Sequence, residues 1–159
     1  MRGLTAALVY PGIAMLESST NYSVGRGTDV PFEVIGAEFI RGRALAEYLN
    51  NRQIPGLRVY PIRFRPSSGN LAGKTIEGVR FVVTSRESFN SVRLGLEVAG
   101  GLQKLYPGKI VFGVNRKLIG SDAVVGALDA GEDPRSIEQR TEEPLRDFLK
   151  IRDKYLLYR

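Results

Sequence analysis

The chain contains neither histidine nor cysteine, and each absence closes off a class of chemistry. Without histidine there is no Ser-His-Asp triad and no His-based zinc site. Without cysteine there is no thiol catalysis and no disulfide, and the redox compartment stays open, because a cysteine-free protein tolerates either side of a membrane. Any reaction must draw on carboxylates, Lys, Tyr or hydroxyls, and the sequence points to no metal and no cofactor. No stretch approaches the roughly 20 apolar residues needed to span a bilayer. The opening MRGLTAALVYPGIAML imitates a secretory signal, with Arg2 ahead of an apolar run, but Pro11-Gly12 interrupts that run and no small-x-small cleavage site follows. There is no block of five like charges, no internal repeat, no coiled-coil heptad and no low-complexity tract.

What is present fits one domain over residues 1–159, since 159 residues with 43% hydrophobic content can bury a real core. Lys and Arg number 23 against 17 Asp and Glu, a formal charge of +6. That balance suits an anionic partner but falls short of a nucleic-acid signature. The densest basic group, Arg58, Arg63 and Arg65, lies on one predicted strand without the interleaved aromatics of a base-stacking surface. It reads as a solvated strand face, so no nucleic-acid partner is expected.

Periodicity and chain breakers predict an α/β (α+β) fold: a mixed β-sheet packed with helices, and a long C-terminal helical region. Residues 13–16 and 32–35 read as short strands, and Gly42 precedes an amphipathic helix with Ala44, Leu45, Tyr48 and Leu49 on one face. Residues 57–65 form the next strand, whose apolar phase changes at Pro61, as at a bulge or an edge position. The Pro, Ser, Gly and Asn-rich residues 66–73 make a surface loop suited to a flap. Val79, Phe81 and Val83 alternate on a further strand. Ser88 is placed as the N-cap of a helix carrying Phe89, Val92, Leu96, Ala99 and Leu102. Gly95, Gly100 and Gly101 cost that helix of order 1 kcal/mol each against Ala, which predicts tight packing against a neighbour. Residues 110–112 read as a strand, Ser121 opens a helix ending near Gly131, and Pro134 opens the last helical region. Pro144 should break or kink it, with Leu145, Phe148, Leu149, Tyr155 and Leu156 continuing an apolar stripe into the core.

The densest chemistry lies in residues 16–29, LESSTNYSVGRGTD. Glu17, placed at a strand end, is followed by hydroxyls and amides through Ser18, Asn21 and Ser23, and then by Arg26 between Gly25 and Gly27. The glycines allow positive φ and close backbone approach. Arg26 offers a planar donor fork matched to carboxylate or phosphate. Two readings stand side by side: a binding site, or a tight turn in which Arg26 and Glu17 pair to hold the loop. Elsewhere, Glu142 and Glu143 are adjacent and diverge on a helix, a poor acid/base pair. Arg86 stands just beyond a strand end, where ligand sites form, but a helix-capping or salt-bridging role fits it equally. Lys74 in Gly73-Lys74-Thr75 resembles part of a P-loop, yet Ser68 occupies the position where that motif requires glycine.

The stretch ALVYPGIAMLESSTNYSVGRGTDVPFEVIGAEFI closely resembles the opening of the C-terminal domain of bacterial exo-β-N-acetylmuramidases of the NamZ type, a glycoside hydrolase family long catalogued as a domain of unknown function. The resemblance continues through residues 56–64, 78–86, 95–107 and 148–158, and its most specific element is Asn21, Ser23, Gly25, Arg26, Gly27 and Thr28 followed by Pro31-Phe32. It implies a strand at ALVYPG and an N-terminal Rossmann-like partner domain, or a separately encoded half, that supplies the principal catalytic carboxylate. Its implied substrate is a peptidoglycan fragment ending in N-acetylmuramic acid. The cell envelope or a murein-recycling route would be the corresponding location.

By that resemblance the substrate-binding residues are Glu17, Asn21, Ser23, Arg26, Thr28 and Arg86. Arg26 would meet the lactyl carboxylate, and Glu17 would orient the sugar or support acid/base work. The family usually has one residue fewer between the glutamate and the Thr-Asn pair. It also commonly has Thr-Asp-Arg where this chain has Thr84-Ser85-Arg86, which removes a carboxylate from the wall. Glycoside hydrolysis normally needs two carboxyls about 5 to 10 Å apart, and no such pair is evident, so the isolated chain is expected to be inactive or nearly so. A standalone carbohydrate-binding or protein-interaction module is the competing class. If a partner domain packs here, an apolar patch is expected beside Arg26 and residues 66–73.

Overall fold

The structure, a computed structural model, describes residues 3–158; Arg2, the charged start of the signal-like run, lies outside them. Among the described residues six α-helices, one 3-10 turn and three strands are present: α1 (Leu4–Ala14), β1 (Val34–Ala37), α2 (Gly42–Asn51), β2 (Leu57–Phe64), β3 (Ile76–Val83), α3 (Ser91–Leu105), a 3-10 turn (Phe112–Asn115), α4 (Arg116–Ile119), α5 (Asp122–Asp129) and α6 (Pro134–Asp153). The fold is α+β as expected, and the sheet is antiparallel throughout, in the order β1-β3-β2.

The first element differs from expectation. Residues 13–16 and the ALVYPG stretch are not strand; they are α1 and the turn after it. Leu4–Ala14 is apolar on all sides, so it lacks the 3.6-residue contrast that marks a helix in sequence. Pro11, which looked like a stop, sits in the last turns of α1, where it has no N–H for the helix ladder. The adjacent Gly12 N–H donates to Ser91 Oγ (2.8 Å). Here α1 crosses α3 at backbone distance: a Cβ on Gly12 would stand 1.9 Å from Ser91 O, and one on Gly95 would stand 2.5 Å from Gly12 O. The tight packing predicted from the α3 glycines is thus met by α1 at Gly95, by Tyr48 of α2 at Gly101 and by Pro134 at Gly100.

β2 is an edge strand, which explains how Pro61 is accommodated: it has no N–H to donate, and its pairing with Val79 continues the register without a bulge. Leu57 and Val59 face the core while Tyr60 is exposed. One face of the sheet is packed by helices around Val79, Phe81, Ile35, Leu45, Leu49, Leu94, Leu102 and Phe112. The N-cap of α3 is Asn90, not Ser88; its side chain accepts the Arg93 N–H (3.0 Å), and Val92 points to solvent. Residues 110–112 form no strand, because Phe112 opens the 3-10 turn and is buried against α5 and the core. Ser121 does cap α5.

α6 is pinned at its start. Asp133 caps it by accepting the Arg135 N–H (2.8 Å) and pairs with Arg52, which also holds the fully buried Glu97 of α3 (2.6 Å). Ile137 completes this contact. Pro144 does not end the helix. The stripe of Leu145, Phe148, Leu149, Tyr155 and Leu156 is not core: all five are exposed, Tyr155 to 78%. Glu142 and Glu143 lie mid-helix. No helix among the described residues is long and apolar enough to cross a membrane.

Candidate functional site

Two loops build the cleft. Residues 15–33 connect α1 to β1, and residues 65–75 connect β2 to β3. They meet because Gly27 takes φ +79° and leaves no room for a side chain: a Cβ there would lie 2.5 Å from Ser68 N. Ser67 seals the crossing, donating both its N–H (2.9 Å) and its Oγ–H (2.8 Å) to Gly27 O. Asn70 Nδ2 reaches back to Thr20 O (3.2 Å). The expected flap is therefore stitched to the glycine-arginine segment by side chains of its own.

Between the loops lies a cleft of about 240 Å³ lined by residues 17–20, 22–24, 26 and 68–71. Ser18, Ser19, Thr20, Ser23 and Ser68 bring hydroxyls to it, Asn70 an amide and Val24 and Leu71 apolar surface, and Glu17 and Arg26 are the charged residues in its lining. Arg26 Nε–H donates to Glu17 Oε1, and the guanidinium lies over the Phe32 ring, 4.9 Å from its centroid. Tyr10 in turn meets Phe32 edge-on at 4.7 Å. The bond to Glu17 raises the Arg26 pKa further above its ordinary value, so the group is a fixed cation. With 60% of its side chain exposed and one N–H engaged, the fork retains donors for an anion entering from solvent.

Beneath the loop sits a residue that sequence reasoning missed. Asn115, fully buried, accepts the Ser18 N–H at Oδ1 (2.8 Å) and donates from Nδ2 to Ser19 Oγ (2.9 Å). Tyr22, also buried, donates its hydroxyl to Leu16 O (2.5 Å). Burial pushes the Tyr22 phenol up to about 12, so it stays a neutral donor. The two side chains fix both ends of the stretch that carries Ser18 to Asn21. A Tyr in a polar run offered a weak signal; Asn115, nearly a hundred residues away, offered none.

The sequence-selected residues thus separate. Glu17, Ser23 and Arg26 line the cleft, though Glu17 stands in the turn after α1 and not at a strand end. Asn21 turns away, donating to Lys109 O (2.5 Å). Thr28 braces the turn, with Oγ1 donating to Gly25 O (2.6 Å) and accepting the Val30 N–H (3.2 Å). Ser23 Oγ accepts the Gly25 N–H (3.1 Å). Arg86 follows β3 at the Leu57↔Val83 end of the hairpin, whereas the cleft follows Phe64 at the other, about 23 Å away at 3.3 Å per residue. Lys74 pairs with Glu38 (2.9 Å). The Glu17–Arg26 pair closes the loop, as the turn reading expects, and its two side chains also line the cleft. Large exposed apolar groups gather on residues 145–158, while Leu71 in the flap is buried.

The profile described as "Exo-beta-N-acetylmuramidase NamZ, C-terminal" matches residues 8–158. The chain is 36% identical over 161 residues to the peptidoglycan beta-N-acetylmuramidase NamZ of Bacillus subtilis (strain 168), covering 99% of this chain and 39% of that protein. Its backbone is also similar to the crystal structure of a DUF1343 family protein from Bacteroides fragilis, with a TM-score of 0.83 at 23% identity, over 96% of this chain and 42% of the other. The chain therefore spans about two fifths of the length of these relatives.

Proposed function

Since this chain belongs to the family of exo-β-N-acetylmuramidase NamZ C-terminal domains, we propose that it forms one wall of a cleft that takes the terminal N-acetylmuramic acid of peptidoglycan fragments. The observation that carries this reading is the half-exposed Arg26, held by Glu17 in a cleft whose other polar groups are hydroxyls and the Asn70 amide, beside an apolar wall of Val24 and Leu71. N-acetylmuramic acid presents a matching set: a lactyl carboxylate, an acetamide and sugar hydroxyls. The carboxylate pairs with the free edge of the Arg26 fork while Glu17 keeps Nε–H. Ser18, Thr20 and Asn70 supply hydrogen bonds to the sugar. Asn21, Ser23 and Thr28 serve by holding the loop that carries Arg26, and Arg86 lies outside this contact.

Glu17 is the one carboxylate in the cleft lining, and it is committed to Arg26. Glycoside hydrolysis by acid and base, or by acid and nucleophile, needs two carboxyls flanking the bond. The second belongs to an N-terminal partner domain that closes the cleft from the opposite side, and the described domain alone turns over little or nothing. Titration of the purified chain with N-acetylmuramic acid and with N-acetylglucosamine tests the binding step. The muramic sugar should bind and the glucosamine, which lacks the lactyl group, should not; equal binding of both removes Arg26 from the reading. Robust hydrolysis of a chromogenic muramide by the chain alone would refute the divided site and leave a complete enzyme.

A further inference from the structure

Among the described residues, two that are not glycine take positive φ: Gln53, just past the end of α2, and Phe32 at +68°. The first stands where a helix commonly ends in the left-handed region. Phe32 has no such excuse, since it lies in the turn that leads into β1 and is buried. Val30 O accepts the Glu33 N–H (3.1 Å) across Pro31 and Phe32, so Pro31 holds the second position of this turn and Phe32 the third. A third residue at positive φ marks a type II turn, and that position normally carries glycine. A bulky side chain is disfavoured there because its Cβ crowds the backbone. The same loop places glycine at Gly25 and Gly27, where φ is also positive. At position 32 the backbone calls for glycine and the chain supplies an aromatic ring. Such a conformation persists only where the surroundings hold it, and here the Phe32 N–H donates to Val24 O (2.8 Å), closing the excursion that carries Arg26.

We propose that Phe32 is a positioning residue for the recognition of an anion at Arg26. Glu17 holds the guanidinium through Nε–H alone, and one bond in the plane leaves that plane free to swing about it. The face of the Phe32 ring, 4.9 Å from the guanidinium carbon, removes this freedom, because a flat cation rests against the negative face of an aromatic ring. The ring is itself held from α1 by Tyr10, which meets it at 4.7 Å and 84°. A hydrogen bond in the plane and a ring against its face together set the direction in which the remaining donors point. In the muramic-acid reading of the cleft, on which this inference rests, those donors meet the lactyl carboxylate. A fork oriented beforehand loses less side-chain freedom when the sugar binds. The competing account of a buried ring is that it only fills space, and the two accounts differ in what they require of the ring face.

Two variants separate them. Phe32→Leu keeps an apolar side chain and the same backbone cost at positive φ but has no ring face. Phe32→pentafluorophenylalanine keeps the outline of the ring and reverses the charge of its face. The readouts are nitrogen NMR relaxation of the Arg26 Nε–H in the sugar-free chain, and calorimetric titration with N-acetylmuramic acid and N-acetylglucosamine. In the parent chain the Nε–H order parameter should match rigid backbone, about 0.85, and in both variants it should fall below about 0.6. The dissociation constant for N-acetylmuramic acid should rise about 3- to 10-fold in both, with the circular dichroism of the fold unchanged. If Phe32→Leu fails to fold, the fluorinated variant decides alone. Parent-like order and affinity in the fluorinated variant overturn the proposal, as does an Arg26 that loosens without loss of affinity or is already mobile in the parent. Equal binding of both sugars by the parent chain removes instead the muramic-acid reading, and this inference with it.

Discussion

Two arginine-glutamate pairs show how the same chemistry takes different work in different surroundings. Arg52–Glu97 lies under α6 with side-chain exposures of 19% and 1%, whereas Arg26–Glu17 lies on the cleft rim with 60% and 23%. The buried pair is satisfied on every side: Arg52 reaches both Glu97 oxygens and both Asp133 oxygens, and Arg135 adds a bond to Arg52 O. Those two carboxylates raise the Arg52 pKa further, and the cluster ties α2, α3 and α6 together. The rim pair has one bond and a solvent-facing fork. A cation with four of its five donors spent on buried or capping carboxylates locks structure, and a cation with one spent is available to a ligand.

Breaking the inner pair should cost most. Glu97→Ala leaves Arg52 with Asp133 alone and a hole under α6, and removing one partner of a buried pair costs about 3–5 kcal/mol. Urea denaturation followed by circular dichroism would show it, and an unfolding midpoint like the parent's would mean that the cluster is ornament. Asn115→Ala comes next, at about 1–3 kcal/mol for the buried groups left without partners. It should also weaken sugar binding, because Ser18 and Ser19 lose their anchor; intact affinity in calorimetry would show that the loop holds itself.

Arg26→Ala belongs at the other end of the stability scale, at most about 1 kcal/mol for an exposed pair, yet it should abolish discrimination between muramic acid and glucosamine. A large drop in stability without a change in binding would invert the comparison between the two pairs. The smallest effect concerns acid. Arg52 holds the Asp133 carboxyl below its ordinary value of 3.8, so its contribution is present above that value and is lost as pH falls through the lower folded value. Asp133→Asn, which keeps a capping side chain, should flatten the measured acid limb by lowering stability slightly at neutral pH, where the charged carboxylate contributes, and leaving it nearly unchanged at the acid end. An unaltered acid limb would take Asp133 out of the cluster's pH response.

The patterned elements were legible. Gly95, Gly100 and Gly101 announced close approach because a helix carries three glycines only where something occupies the space of their Cβ atoms. Ser121 and Pro134 marked helix starts, and Pro61 marked an edge strand. α1 was misread because a helix apolar on every side has no periodicity to detect. The α6 stripe was misread for a related reason: an apolar seam has the same spacing whether it faces a core or open solvent.

By itself the sequence determined the family, the helix and strand segments that carry a period, and the polar segment that lines the cleft, since all three are written in local residue order. Only the tertiary structure decided which side chains of that segment face the cleft. Asn21 and Thr28 are as polar as Ser23, but Lys109 O and Gly25 O occupy them. It alone brought Asn115 and Ser68 to the loop and left the α6 seam uncovered. The reason is physical: hydrogen-bond partners and burial are set by residues distant in the chain, and no local pattern records who those neighbours are.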